Sequence, residues 1–476
     1  MAGVETADHH GSHRDLIWQG DESTPGLKVD AIIVPTARKV AYLKEAAAAA
    51  RSLGCPLVTL HSGRWTSAFA ADAQLDPAVD LIAIDVPESA DLRLPELATS
   101  HLLDGTMFQR RTDVSTKRNL GLVLSHLLRW KRVVFLDDDI RVPNPADLSL
   151  AAGLLNSHSA VGLGIGGFPD NSTVCHAFRE AGGWQETFIG GGALAVGVKR
   201  NRSFFPNVYN EDWFFVLNAG KRLQQVATVG HVLQYPYDPY RVERARGEEF
   251  GDVLAEGTFW LLDQGRPASD GDLSHWRDFL AHRRQFIAQV QGMVESRASI
   301  DATTRARMGE ALRAALGRCA VIRPQLCADY MKALATDQDR WERHIQQLRS
   351  RSQLSREDAL RSLTVKGKTP LTWYTGNTSV SKPRAARRRE PLTPPRPEWL
   401  APRAGELQAA IPPPLQALMP HEFTAPGQAS SLFSRAGVAL PHPAAAATAK
   451  IAQASQRYHA DGDGHGGTHP PQPVHP

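Results

Sequence analysis

The sequence predicts an α/β fold: a mostly parallel, Rossmann-type sheet flanked by helices, followed by a helical region and a disordered tail. Three observations predict it. Between about residues 30 and 230, apolar runs of strand length alternate with helix-patterned segments, the signature of βαβ units. From about residue 269, helix-spaced apolar stripes take over. Residues 366–476 then hold 18 of the 32 prolines in fewer than a quarter of the chain, a composition that cannot bury enough apolar surface to order itself. The expected boundaries are 1–28 for a disordered, polar lead-in, 29–265 for the α/β domain, 266–365 for the helices and 366–476 for the tail.

At 476 residues the chain can bury a large core. Its 42% hydrophobic and 22% charged residues are a globular composition. The formal charge of +4 is small for this length, so its distribution counts for more than its sum. Cys55, Cys175, Cys319 and Cys327 show neither zinc-like spacing nor a disulfide framework, which suits a reducing, cytoplasmic setting. No apolar run reaches the 18 residues of a membrane span. The lead-in lacks the apolar core of a signal peptide. Its His9, His10 and His13 are either a metal-binding cluster or solvated polar residues.

Residues 30–35 form the first buried strand, ending at Pro35-Thr36-Ala37-Arg38-Lys39. An alanine-rich helix over 40–53 is closed by Gly54. Residues 56–60 and 79–85 are the next strands, the latter stopping at Asp85 with Pro87 close behind. Residues 115–130 are the strongest helix of this half, with Leu120, Leu124, Leu127 and Leu128 on one face. Lys117, Arg118 and Asn119 lie in its first turn, where cations oppose the helix dipole. They are solvated or they face an anion. The strand over 132–136 stops at Asp137-Asp138-Asp139. Three adjacent carboxylates repel one another unless a cation sits among them, and hard divalent ions take such oxygens. A solvated turn is the plainer alternative.

Residues 148–155 are helical, and 160–168 are a glycine-rich strand. Gly190, Gly191 and Gly192 fall inside a strand-like segment over 188–198 and mark either a close backbone approach or a bulge. Tyr209-Asn210-Glu211-Asp212-Trp213 opens a short aromatic helix capped by carboxylates. Residues 225–230 form a strand ending at His231. Three amphipathic helices then follow near 276–293, 301–316 and 323–348. Residues 366–405 carry nine Lys or Arg against two Glu. That charge suits anionic lipid or another polyanion, but no nucleic-acid module accompanies it.

Taken in order, these motifs resemble a GT-A-fold glycosyltransferase of the broad family-2 type. The resemblance rests on Val34-Pro35-Thr36, Asp85, Ser115-Thr116-Lys117-Arg118-Asn119, Phe135-Leu136-Asp137-Asp138-Asp139, the glycine triplet and Asn210-Glu211-Asp212-Trp213. It covers roughly residues 30–260. It implies a GT-A-like domain that moves a sugar from a nucleotide-diphosphate donor to an acceptor hydroxyl. It implies Mn2+ or Mg2+ on Asp137 and Asp139, with His231 as a third ligand. Pro35, Thr36, Arg38, Asp85 and Asp138 would surround the nucleotide, and Lys117 or Arg118 would face the pyrophosphate. Asp212 matches the catalytic base, leaving Glu211 to bind the acceptor or cap the helix. A base at Asp212 implies inversion, whereas a late His ligand is commoner in retaining enzymes; inversion is the expectation taken forward. A nucleotidyltransferase would want a glycine-rich loop after the first strand, which residues 35–39 lack. A non-catalytic sugar- or nucleotide-binding protein would have no need of Asp137, Asp139 and Asp212 together. The expected location is the cytoplasm or the membrane periphery.

Overall fold

The computed structural model describes residues 3–376, except positions 22, 88, 188, 219–221, 366, 367 and 369. The expected tail beyond residue 376 lies outside the described residues. In chain order the first strands are β1 (Trp18–Gln19), β2 (Ala31–Thr36), β3 (Leu57–His61), β4 (Leu81–Asp85), β5 (Arg132–Leu136) and β6 (Ile140–Arg141). Then come β7 (Ala160–Gly167), β8 (Ala193–Gly197), β9 (Leu217–Asn218), β10 (Arg222–Leu223), β11 (Val226–Gln234) and β12 (Thr372–Thr375). The main sheet runs β1-β11-β7-β8-β5-β2-β3-β4-β12, with β6 added to β11. Strand β8 is antiparallel to both neighbours, and β6 and β12 are also antiparallel. Every other pairing in this sheet is parallel.

The central strands read as unbroken apolar runs because both faces are covered. Ala31 and Ile33 of β2, with Val133 and Phe135 of β5, enter one apolar layer. Ile32, Val34, Val134 and Leu136 alternate into the other. Full burial of each large side chain contributes about 1.5–3 kcal/mol.

The helices are α1 (Lys44–Leu53), α2 (Ala68–Gln74), α3 (Ala98–Leu103), α4 (Val114–Leu127), α5 (Ala146–Leu154) and α6 (Thr173–Glu180). They continue with α7 (Glu211–Phe215), α8 (Val242–Asp263), α9 (Leu273–Ser296), α10 (Ala302–Ala320), α11 (Pro324–Arg349) and α12 (Arg356–Arg361). Helices α1, α2 and α5 cover one face of the sheet. Helices α4, α6 and α8–α11 cover the other, and Trp276, Phe286, Leu312 and Trp341 share a single apolar layer with Ile33 and Phe135. The helices after residue 266 therefore pack on the same core as the sheet. Local signals set their ends: Gly54 closes α1 at φ +59°, Asp272 caps α9 through the His275 N–H, and Pro324 opens α11.

Four expectations are corrected. The lead-in is packed rather than solvated, with His9 and His13 only 6% and 3% exposed. Val4 exchanges backbone bonds of 2.9 Å with Gly182 and Trp184. The order extends past residue 366, because β12 pairs Thr372–Thr375 with Asp85–Ile82 of β4. The glycine triplet precedes β8 instead of lying inside a strand. Strand β11 does not end before His231: Gly230 takes φ +67°, the register shifts, and pairing with β7 resumes through Gln234.

Candidate active site

The acid triplet follows β5 and is wedged between two other segments. The Asp137 N–H donates to the Gly192 carbonyl at 2.9 Å, and the Asp139 carbonyl accepts from the Tyr235 N–H at 2.9 Å. Asp138 turns inward, accepting from Thr36 Oγ1 at 2.6 Å and from Arg38 at 2.5 Å. Arg38 also pairs with Asp139 at 3.0 Å. Burial pushes the Asp138 carboxyl up to about 6, against the pull of Arg38 and Thr36. Burial raises Asp139 as well, with Asp137 adding repulsion and Arg38 opposing. Asp137 is the most open of the three, with 34% of its side chain exposed.

The first turn of α4 supplies two cations, both buried. Arg118 reaches Asp137 at 2.7 Å with one nitrogen and Glu211 at 2.6 Å with the other. Burial alone would lower its basicity, but Asp137 and Glu211 outweigh that and keep it protonated. Lys117 donates to the Thr36 carbonyl at 2.8 Å and Ser62 Oγ at 2.6 Å, and pairs with Asp113 at 3.0 Å. Both residues were expected to be solvated or to face an anion. Neither is solvated: Arg118 faces the carboxylates of Asp137 and Glu211, and Lys117 that of Asp113. A Cβ at Gly191 would fall 2.5 Å from Arg118 Nη1, so the triplet is a close backbone approach.

Helix α7 separates the two carboxylates it carries. Asn210 precedes it in the left-handed region at φ +62°, which Asn tolerates better than most residues, and donates to Asp252 at 2.9 Å. Glu211 faces Arg118 and Arg110. Burial opposes its ionisation, yet the two guanidiniums hold it below the usual carboxylate range. Asp212 instead accepts the Gly191 N–H at 2.5 Å and the Trp213 N–H at 2.9 Å. Burial, then the Glu211 charge, pushes Asp212 up to about 6. Of this pair, Asp212 is the carboxylate with the higher affinity for a proton.

Asp170 completes the group and was missed in the sequence. It follows β7, and burial, then the Asp212 charge, pushes it up to about 7. A small cavity is lined by Asp170, Asp212, Gly190, Trp213, Ser12 and His13. The signal was available: the β7 run ends at Phe168-Pro169-Asp170, the strand-end carboxylate beside proline that singled out Asp85. Arg110, by contrast, carries no such signal.

The remaining expected residues lie apart from this cluster. Pro35 is buried in β2 opposite Leu60 of β3. Asp85 accepts the Ala68 N–H at 2.6 Å at the start of α2, and β3 separates its strand from β2. His231 is exposed within β11, and its N–H donates to Asp147 at 2.9 Å. Four residues, roughly 13 Å of strand, separate it from Tyr235. The structure does not bring His231 to the acids, because β11 continues past it.

Neither a protein-family model nor a curated protein matches the chain. Among solved structures, it is similar to the mannosyltransferase PcManGT from Pyrobaculum calidifontis in complex with GDP-Man and Mn2+. The identity is 16% and the TM-score 0.33, over 67% of this chain and 88% of that one. No helix among the described residues is long and apolar enough to cross a membrane.

Proposed function

We propose that the chain is a glycosyltransferase of GT-A type, moving a sugar from a nucleoside-diphosphate donor to an acceptor hydroxyl with inversion. One observation carries the reading: Arg118 bridges the acid triplet to α7, so Asp137 and Glu211 share one guanidinium while Asp212 stands against Gly191. The resemblance noted in the sequence motifs supports it independently.

The acids fit a hard divalent ion. Asp137 and Asp139 offer carboxylate oxygens beyond a strand end, and Asp137 is a third open. Mn2+ or Mg2+ there would neutralise the departing diphosphate. Asp138 is committed to Thr36 and Arg38, so its part is to fix the turn that presents its neighbours. Arg38 and Thr36, which hold Asp138, would face the nucleotide. His231 is left out of the ligand set.

Asp212 is the base. Its carboxyl is held by two backbone N–H groups, which aim it, and burial raises its affinity for the acceptor proton. Glu211 is unsuited to that task, since two guanidiniums stabilise its charge. It positions Arg118 and Arg110 instead. Asp170 lines the same cavity and would accept hydrogen bonds from acceptor hydroxyls. The basic residues of the tail would add contact with an anionic membrane surface, which sedimentation with phosphatidylserine vesicles tests.

The deciding experiment is calorimetric titration with a panel of nucleotide sugars, GDP-mannose among them, with and without Mn2+ or Mg2+. The reading expects one donor class to bind in a metal-dependent way. It expects that binding to be lost in Asp139→Asn and kept in Asp212→Asn. Absence of binding by every donor with either ion would remove the proposal.

A further inference from the structure

The N-terminal histidines, first read as solvated or metal-binding, meet a carboxylate more than 200 residues away in sequence. His10 Nδ1 lies 2.8 Å and His13 Nδ1 2.6 Å from the same oxygen, Asp263 Oδ2 at the end of α8. The three ligand atoms all lie within 4.8 Å of one another. We infer that His10, His13 and Asp263 form a transition-metal site of zinc type that clips the N-terminal segment onto α8.

Five features favour a metal over a plain hydrogen-bonded cluster. The donor set of two imidazoles and one carboxylate is one that zinc takes, with bonds of about 2.0–2.2 Å. Such an ion needs only small side-chain movements to sit among atoms already this close. Both rings are held: His10 stacks on Trp260 at 3.9 Å, and His13 meets Trp213 edge-on at 5.3 Å. His13 Nε2 faces Glu256 at 3.5 Å, the carboxylate–histidine–metal arrangement that orients metal-bound imidazoles. The fourth side is open, because His10 and Asp263 keep 32% and 18% of their side chains exposed. That opening admits the ion and leaves a position for water.

A deeper group of His9, Cys175 and Glu256 also holds three candidate ligands. It is fully enclosed, and His9 Nε2 is already hydrogen-bonded to Gln185 at 2.6 Å. The shallower group is therefore the site assigned. It differs in kind from the all-oxygen acids after β5, which suit harder ions. The clip would also fix one wall of the acid-lined cavity, since His13 belongs to both and Ser12 beside it lines the cavity too.

The test uses the full-length protein, dialysed after Zn2+ loading, with zinc counted by elemental analysis. His10→Ala leaves the His13–Asp263 pair in place, and Asp263→Asn keeps the side-chain volume. All proteins compared keep the histidines at 459, 465, 469 and 475, so zinc on those residues cancels. Wild type should retain about one zinc more per chain than either variant, with affinity at least roughly tenfold higher. Co2+ should give a four-coordinate visible spectrum in wild type that both variants lose, while Mn2+ leaves the melting temperature of all three unchanged relative to one another. Equal zinc content in wild type and both folded variants would overturn the assignment. So would full retention by His10→Ala with loss in Cys175→Ser, which would place the ion in the deeper group.

Discussion

Replacing Gly191 with alanine tests whether the glycine triplet exists to admit Arg118. The new Cβ would sit 2.5 Å from Nη1, 2.8 Å from Cζ and 2.9 Å from Nη2 of that side chain. Ordinary contact begins near 3.4 Å, so the guanidinium must withdraw by about 0.9 Å. It has nowhere to go without lengthening its bonds of 2.7 Å to Asp137 and 2.6 Å to Glu211. Overpacking alone costs about 1–3 kcal/mol, and full loss of a partner in a buried ion pair costs about 3–5 kcal/mol. A partial loss puts the expected destabilisation at roughly 2–4 kcal/mol. Urea unfolding with an unchanged slope measures it, and calorimetry should show weakened Mn2+-dependent donor binding. Gly247 is the control: it is an exposed helical glycine with nothing within 4 Å of an added Cβ. Alanine there should stabilise by about 0.5–1 kcal/mol. If Gly191→Ala unfolds within about 0.5 kcal/mol of wild type, which is the range of an ordinary surface change, the close-approach argument is wrong.

Further predictions divide the site by role. Asp139→Asn should keep the fold and abolish both turnover and metal-dependent donor binding; unchanged binding would remove Asp139 from the ligand set. Asp212→Asn should lower kcat by about 10²–10⁴ with little change in donor affinity, whereas Glu211→Gln should cost stability as well, by breaking its pairs with two arginines. In the proposed role of base Asp212 must be deprotonated, and with its carboxyl pushed up to about 6, kcat/KM should rise with pH through about 6 and level off above it; a rate falling over that range contradicts the base assignment. Truncation after residue 376 should leave the fold intact, whereas truncation after Leu363 removes β12, exposes the edge of β4 and lowers the melting temperature. Burial, with help from nearby cations, pushes His61 and His126 down to about 4. An unfolded chain takes up those protons first, near 6.5, so this stability is complete above pH 6.5 and is lost as pH falls towards 4. The loss is on the order of 3 kcal/mol per residue, and His126→Gln should flatten the fall in melting temperature between pH 7 and 5.

Some of this was legible in the sequence because the signal is local. Strands β2 to β5 are covered on both faces, so their residues are apolar without interruption and their ends are marked by carboxylate or proline. The α4 stripe and the helices after residue 266 follow the helical period for the same reason. Helix α8 hid because Glu248, Glu249, Asp252 and Glu256 are buried on it, breaking any apolar stripe. Glu248 pairs with Arg244 of the same helix at 2.6 Å, but the next two find their partner elsewhere: Arg283 of α9 pairs with Glu249 at 2.9 Å and Asp252 at 2.7 Å. The N-terminal histidines misled in the same way, since the acids that bury them lie on that helix. His231 misled because a glycine in the left-handed region reads as a strand end, while here it is a step within one.

The two halves of the site meet in the guanidinium of Arg118, which explains why arginine stands there. One nitrogen holds Asp137 and the other holds Glu211, so the fork spans the gap between the turn after β5 and the start of α7. A lysine ammonium would have to hold both carboxylates from one nitrogen, whereas the planar fork gives each its own. Glu211 has a second cation in Arg110, so it keeps a partner if Arg118 shifts. An ion on the triplet would draw charge from Asp137 and leave the fork to Glu211. Extra positive charge near α7 would then lower the proton affinity of Asp212, so that on the proposed reading the strength of the base follows the occupancy of the triplet. The absent side chain at Gly191 follows from the same geometry, because the fork lies where a Cβ would have to be.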